Sequence, residues 1–265
     1  MASKNVRAIA TVLLGLWILS SWIIAWTLQL IIIGTTYFFS SPRQRGNWCG
    51  WLFRTINMIF IDYLNIFWKV VEVKRHPMKP SGRPVIYMFN HLSNCDPWLL
   101  IRAMWPIDCK WVCKGSLFKV PFGGWALRNA NDIAVRFTAD KGGWGTEKGS
   151  VRQMMEYSAD LLRHQQAIAI FPEGVRNPHP DGPLGEFKDG YFALAIQEKA
   201  DIVPIAISGT DKLWPRSDWR FDFGNAYISV GSAISVEGHT LESLKEAVFK
   251  AITEMREQHP DRKKL

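Results

Sequence analysis

A histidine and an aspartate follow an apolar segment in the first half of this chain. Residues 84–89 read Pro-Val-Ile-Tyr-Met-Phe, which predicts a buried strand, and His91 and Asp96 come directly after it. Sites in open α/β sheets form at such strand ends. A neutral histidine there accepts a proton from a hydroxyl, and a nearby carboxylate holds its other ring nitrogen and stabilises the imidazolium. The pair is therefore suited to making an alcohol attack a carbonyl.

The same two residues also fit a structural interpretation. Backbone groups then satisfy His91, and Asp96 caps a helix whose first turn contains Pro97. Two residues at a fixed spacing recur by chance, so this pair alone favours neither interpretation.

A second polar cluster follows another apolar run, at residues 167–170. Gly174 allows the backbone to turn tightly, and Arg176 offers a planar set of donors that suits a phosphate. Glu173 either orients that arginine or accepts a hydrogen bond from a substrate hydroxyl. The alternative is a surface turn with a solvated Glu–Arg pair, which contributes little stability.

Together these segments resemble the glycerolipid acyltransferase family, and most closely its 1-acylglycerol-3-phosphate (lysophosphatidic acid) acyltransferases. The FPEGTR motif matches residues 171–176, with Val175 in place of the usual threonine, and residues 114–125 resemble the K-x-x-L-x-x-x-P-x-x-G-W segment. Residues 185–190 and 202–205 resemble the F-K-x-G and V-P-I blocks. The residues that match the NHxSxxD motif are Asn90, His91, Ser93 and Asp96.

The resemblance implies an α/β fold with a mixed sheet flanked by helices, and transfer of an acyl group to the free sn-2 hydroxyl of lysophosphatidic acid. The donor is an acyl thioester, either acyl-CoA or acyl carrier protein, and neither a cofactor nor a metal is needed. His91 acts as the base and Asp96 fixes its tautomer. The implied substrate-binding residues are Glu173, Gly174, Arg176, Arg136 and Lys114, with Lys119 and Lys188 as weaker candidates for phosphate contact.

Two alternatives remain open at this stage. The acceptor could be glycerol-3-phosphate or a lysophospholipid with another headgroup, and the departure at Val175 bears on this choice. A non-catalytic membrane scaffold with the same fold is the other alternative. The intact polar residues of both motifs argue against a scaffold, because it would not need them.

Composition favours anionic partners. The net charge is +8 and the pI about 9.4, which suits a phospholipid surface or a phosphorylated substrate. Zinc-finger spacing and RNA-binding motifs are lacking, so we expect no nucleic-acid partner. The four cysteines form neither a disulfide pattern nor a zinc pattern and are expected to be reduced, and the six histidines suggest no metal site.

Residues 8–42 contain no charged side chain and predict a membrane-embedded helical region. The stretch would form either one tilted span or two short helices with a break at Ser20-Ser21 or Gly34. Residues 48–73 predict an amphipathic helix, either at the headgroups with Trp48, Trp51 and Trp68 as anchors or in an ordinary core. Basic residues after the uncharged stretch favour a cytosolic catalytic domain.

The predicted organisation has three parts: a membrane anchor (1–47), an interfacial helix with a Pro/Gly/Ser linker (48–83), and an α/β acyltransferase domain (84–265). We expect an integral or tightly associated membrane protein of the endoplasmic reticulum or a bacterial inner membrane. The tail at 262–265 resembles a dilysine retrieval signal.

Within the α/β domain, apolar periodicity predicts strands and helices in alternation. The strands are 85–90, 109–113, 132–136, 167–171, 202–208 and 226–230, and the helices are 97–105, 149–164, 190–199 and 240–258. Residues 177–187 predict an irregular loop that could act as a lid, and residues 142–150 predict a flexible loop.

Overall fold

The computed structural model describes residues 3–76, 82–138, 145–146 and 149–262. The loop predicted at 142–150 and the tail at 262–265 lie mostly outside these ranges, as does most of the linker at 76–83. The first half contains α1 (Lys4–Thr36), α2 (Pro42–Met58), a π-helical turn (Ile59–Tyr63), β1 (Trp68–Arg75), β2 (Val85–Phe89), α3 (Asp96–Met104), β3 (Lys110–Lys114), a 3-10 turn (Gly115–Lys119) and α4 (Gly123–Asn129).

The second half continues the alternation of strands and helices. Its elements are β4 (Ile133–Val135), a small antiparallel pair of β5 (Phe137–Thr138) and β6 (Gly145–Thr146), α5 (Ser150–Arg163), β7 (Ile168–Ile170), α6 (Gly190–Gln197), β8 (Asp201–Ser208), α7 (Thr210–Leu213), β9 (Gly224–Val230) and α8 (Leu241–Glu257). All the strands predicted from residue 84 onwards are present, and so are all four predicted helices.

The main sheet has seven strands in the order β1-β9-β8-β2-β7-β3-β4. All neighbours run parallel except β8 and β9, so the sheet is mixed, as expected. One face carries Tyr87 and Phe89 and packs on α1, the π-helical turn and α3. The other face carries Ile86 and Met88 and packs on α5, α6 and α8. The alternation along β2 matches the twofold period of a strand that is covered on both sides.

The helix predicted over 48–73 is wrong in its second half. The helix α2 ends at Met58, and Trp68–Arg75 forms strand β1, which pairs with β9 at the sheet edge. Trp68 is not an interface anchor, because it is 3% exposed and its indole N–H donates to the Ile61 carbonyl at 2.9 Å. Valines next to polar residues suit an edge strand, and pairing with a strand some 150 residues away overrides the local helical pattern.

The uncharged stretch forms one continuous helix. Helix α1 passes through Ser20, Ser21 and Gly34 without a break, so the alternative of two short helices is wrong. The chain reverses only after Thr36, and α2 begins at a capping box formed by Ser41 and Gln44. Among the described helices, α1 alone is long and apolar enough to cross a membrane.

One face of α1 lies against the rest of the protein along most of its length. Its buried residues recur every three or four positions: Ala10, Leu14, Ile18, Ser21, Ala25 and Gln29. Arg7 donates to the Phe221 carbonyl at 3.2 Å near one end, and the Gln29 amide donates to the Cys49 carbonyl at 2.9 Å near the other. The opposite face is apolar and exposed, with Ile9 63% and Leu16 60% accessible. The helix is therefore packed on the α/β unit on one side and presents an exposed apolar surface on the other.

Candidate active site

The polar residues of both motifs meet at one edge of the sheet. His91 follows β2 and Glu173 follows β7, and these strands are parallel neighbours. Lys114 ends β3 and Arg136 follows β4, the next two strands along. Because parallel strands end at the same edge, the topology collects groups that are up to 82 residues apart in the chain.

His91 is held by Asp96. The ring Nδ1 of His91 lies 2.8 Å from Oδ2 of Asp96, and the same oxygen accepts hydrogen bonds from the N–H groups of Leu92 and Ser93 at 2.7 and 2.9 Å. Asp96 is fully buried, and its carboxylate accepts only N–H donors. This arrangement assigns the proton to Nδ1 and leaves Nε2 as an acceptor. His91 is thus prepared to take a proton at Nε2.

The N-cap interpretation of Asp96 is wrong. Helix α3 is preceded by Cys95, and its first turn has no side-chain cap. The Asp96 carboxylate instead turns back onto the residues before the helix. The turn itself is fixed to the sheet, because the Asn90 side chain forms hydrogen bonds with the N–H and the carbonyl of Ile207 at 2.8 and 2.9 Å.

Glu173 connects the two motifs. Its Oε1 accepts from the His91 N–H at 2.8 Å, and its Oε2 accepts from the Gly185 N–H at 2.8 Å. Glu173 is 3% exposed, and this burial raises its pKa against the lowering effect of the two N–H donors. Both oxygens are therefore used to position the histidine backbone and the 177–187 loop. The solvated Glu–Arg pair that was the alternative is absent among the described residues.

Two glycines are needed around Glu173 for different reasons. Gly174 has φ +70°, a conformation that side chains rarely adopt. At Gly185, a Cβ atom would lie 2.7 Å from Oε2 of Glu173, so any side chain there would push the carboxylate away. Glycine at these two positions therefore permits the turn after Glu173 and the hydrogen bond between Oε2 of Glu173 and the Gly185 N–H.

The 177–187 loop is irregular, as predicted, and is tied down on several sides. The Asn177 N–H donates to the His91 carbonyl at 2.7 Å, and the Asn177 amide donates to the Pro183 carbonyl at 2.7 Å. From the C-terminal region, Arg262 reaches Asp181 at 3.1 Å. Opening of this loop as a lid would require breaking these bonds together.

The predicted phosphate-binding residues fall into two groups. Arg176 is half-buried beside the His91 turn. Lys114 and Arg136 are exposed at the ends of two paired strands, where Lys114 pairs with Val135 and the Arg136 side chain lies beside Gly115. Their strand ends are two and three strands from His91, or about 10 and 14 Å at the usual strand spacing. Lys119 is exposed, and Lys188 is 3.5 Å from Glu186.

Sequence reasoning missed several contributors to the site. The ring of Phe171 stacks on the His91 imidazole, with centroids 3.9 Å apart and planes at 18°. The Ser93 hydroxyl donates to the Trp214 carbonyl at 2.8 Å, which fixes the start of the loop after α7. Arg216 of that loop lies beside Arg176. Phe171 was part of a recognised motif, whereas nothing local marks Trp214 or Arg216.

The remaining titratable groups do not form a metal site in the described part of the chain, where no group of three His, Cys, Asp or Glu side chains converges. All four cysteines are free thiols, and three of them are buried.

The chain is similar to known proteins in sequence and in fold. The chain is 29% identical over 255 residues to the 1-acyl-sn-glycerol-3-phosphate acyltransferase of Pseudomonas aeruginosa, covering 92% of this chain and 87% of that protein. It is 29% identical over 172 residues to the human 1-acyl-sn-glycerol-3-phosphate acyltransferase alpha, covering 64% of this chain and 56% of that protein. The crystal structure of the 1-acyl-sn-glycerophosphate acyltransferase PlsC from Thermotoga maritima has the same fold, with a TM-score of 0.66 at 20% identity, over 95% of this chain and 97% of that one. The acyltransferase family model matches residues 70–208, which include His91, Asp96, Glu173, Arg176 and the strands that carry them, and the chain therefore belongs to the acyltransferase family.

Proposed function

We propose that this enzyme transfers an acyl group from acyl-CoA to the sn-2 hydroxyl of lysophosphatidic acid and so produces phosphatidic acid for phospholipid synthesis. The observation that carries the proposal is the His91–Asp96 pair. Nε2 of the histidine has no hydrogen-bond partner among the described residues, and arginine and lysine side chains lie along the same sheet edge. The names of the relatives from Pseudomonas aeruginosa and human support the acceptor.

In the proposed reaction, Nε2 of His91 removes the proton from the acceptor hydroxyl as its oxygen bonds to the thioester carbonyl carbon. Asp96 stabilises the imidazolium that results. The carbon–sulfur bond then breaks, the carbonyl reforms, and the imidazolium returns its proton to the departing thiolate. The acyl group moves directly, and no metal or cofactor takes part in these steps.

The acceptor enters from the membrane in this proposal. The exposed apolar face of α1 continues onto the segment that follows it, where Phe38 is 94% and Phe39 74% exposed. Burial of such a surface in lipid contributes about 25 cal/mol per Å² of apolar area. We propose that this face holds the protein at the bilayer with the site on the cytosolic side, so that the acyl chain of the acceptor stays in lipid.

The test is an acylation assay with purified full-length protein and labelled acyl-CoA. The acceptors are lysophosphatidic acid, glycerol-3-phosphate and lysophosphatidylcholine in mixed micelles. We expect phosphatidic acid as the main product, and loss of about 10²–10⁴-fold in turnover for His91→Ala, the usual contribution of a general base. Preferred use of another acceptor would reject the proposed substrate. A folded His91→Ala protein with near wild-type turnover would reject the mechanism.

A further inference from the structure

Arg176 and Arg216 lie next to each other, beside the turn after β2 that carries His91. Nη1 of Arg216 donates to the main-chain oxygen of Arg176 at 3.3 Å. Burial and the charge of Arg216 lower the pKa of the Arg176 guanidinium, and the Asp96 carboxylate opposes this shift. The two positive charges are therefore close enough to act on each other.

The described residues do not neutralise this pair. Neither Arg176 nor Arg216 has a carboxylate oxygen within ion-pair distance in that part of the chain. Arg220, four residues further along the same loop, is different, since its Nε lies 2.9 Å from Asp218. The loop after α7 thus supplies a carboxylate to Arg220, whereas Arg216 lies near the positive charge of Arg176. Like charges without a counter-ion are unfavourable, and a bound anion would relieve the repulsion.

Both arginines are fastened to the turn that carries His91. Arg176 is followed by Asn177, whose N–H donates to the His91 carbonyl at 2.7 Å. Arg216 comes two residues after Trp214, whose carbonyl accepts from the Ser93 hydroxyl at 2.8 Å. An anion between the two guanidinium groups would therefore lie close to the general base and in a fixed position relative to it.

We propose that Arg216 is a second phosphate ligand of the acceptor site, and that Arg176 and Arg216 form a two-arginine clamp that selects a phosphomonoester over a phosphodiester. This inference rests on the proposed function and adds a physical reason why the enzyme would select one acceptor headgroup over another. A monoester presents three terminal oxygens and a charge of about −2 above pH 6, whereas a diester presents two oxygens and one charge. Two planar guanidinium groups can each bind a pair of oxygens, which matches the monoester.

The experiment compares Arg216→Gln and Arg216→Lys with a matched control, Arg163→Gln. Arg163 is also exposed, but it ends α5 and pairs with Glu198, near the starts of β7 and β8 and thus at the opposite end of the strands from His91. We expect Arg216→Gln to raise the KM for lysophosphatidic acid about 10- to 100-fold, the range for a hydrogen bond to a charged group. The KM for acyl-CoA, the kcat and the use of lysophosphatidylcholine should change less than about twofold, with partial recovery in Arg216→Lys because it keeps only a point charge.

The pH profile gives a readout that a structural role would not move. In the wild type, the KM for lysophosphatidic acid should rise as the pH falls through about 6, where the phosphate dianion takes up a proton and becomes a monoanion. This dependence should be weaker in Arg216→Gln and unchanged in Arg163→Gln. An unchanged acceptor KM in Arg216→Gln, or equal losses with monoester and diester acceptors, would overturn the clamp and leave the acyl transfer intact.

Binding without turnover separates failure of the clamp from failure of the proposed function. A short-chain lysophosphatidic acid is titrated into the protein by calorimetry in the absence of acyl donor. Weaker binding by Arg216→Gln than by Arg163→Gln supports the clamp even if no acylation is observed. Equal binding by the two variants rejects it.

Discussion

Replacement of Asp96 by asparagine separates the two roles of this carboxylate. Its Oδ2 accepts three hydrogen bonds, from His91, Leu92 and Ser93, at 2.7–2.9 Å. An asparagine oxygen at the same position would still accept them. The amide nitrogen would take the place of Oδ1, which has no hydrogen-bond partner in the described part of the chain. The turn should therefore persist while the negative charge beside the imidazolium is lost.

The expected loss of activity follows from the distance between Nδ1 of His91 and Oδ2 of Asp96. Opposite unit charges 2.8 Å apart attract by about 6 kcal/mol at an effective dielectric constant of about 20, which is an upper limit. A hydrogen bond to a charged partner contributes about 1.5–3 kcal/mol, which is a lower limit. We expect kcat for Asp96→Asn to fall about 10²- to 10³-fold, with the unfolding free energy within about 1 kcal/mol of the wild type.

Asp96→Ala provides the comparison. It leaves the N–H groups of Leu92 and Ser93 buried without an acceptor, at about 1–3 kcal/mol each, so stability should fall together with activity. Urea unfolding and initial rates on the same preparations measure both quantities. A stable Asp96→Asn protein with kcat within about twofold of the wild type would refute a role for the charge in catalysis.

Two further predictions concern stability. His259 is buried between the hydroxyls of Ser208 and Ser229, and burial lowers its pKa to about 4. Because the unfolded chain takes up a proton on this histidine near pH 6.5, the unfolding free energy should fall by up to about 3 kcal/mol as the pH falls from 6.5 to 4. Urea titrations should show a smaller loss in His259→Asn, and an equal pH dependence of the unfolding free energy in both proteins would disprove this. On α1, Leu14 is fully buried and Leu13 is 54% exposed, so Leu14→Ala should lower stability by about 2–5 kcal/mol, whereas Leu13→Ala should change it little and weaken vesicle binding in a sedimentation assay. The reverse pattern would show that the buried face of α1 is misassigned.

The amino-acid sequence by itself determined the local elements and the residues of the two motifs. Continuous apolar runs located β2 and β7, since a strand covered on both faces needs apolar side chains on both. His91, Asp96 and Glu173 could be recognised because each directly follows such a run. The 35 uncharged residues 8–42 marked α1 as an apolar helix. Their length and composition alone do not show which face of the helix packs on the rest of the protein.

Tertiary structure decided where distant segments meet. The local pattern of residues 48–73 predicts a helix, yet Trp68–Arg75 forms strand β1, because its partner β9 lies more than 150 residues further on. Helix α2 is held to the sheet by buried charged groups, because Arg54 of α2 is bonded to Asp132 and Lys110 of β3 donates to the Gly46 carbonyl of α2 at 3.2 Å. No local pattern marks these pairs, since a buried charge requires a partner but does not specify its position in the chain.

The same reason explains why the full set of groups around His91 was not evident. The role of Glu173 as a link between the His91 backbone and the 177–187 loop depends on β2 and β7 being neighbours. Arg216 comes next to Arg176 only because its loop is fastened through Trp214 to the turn after β2. Strand order and long-range hydrogen bonds set these distances, and local periodicity carries no information about either.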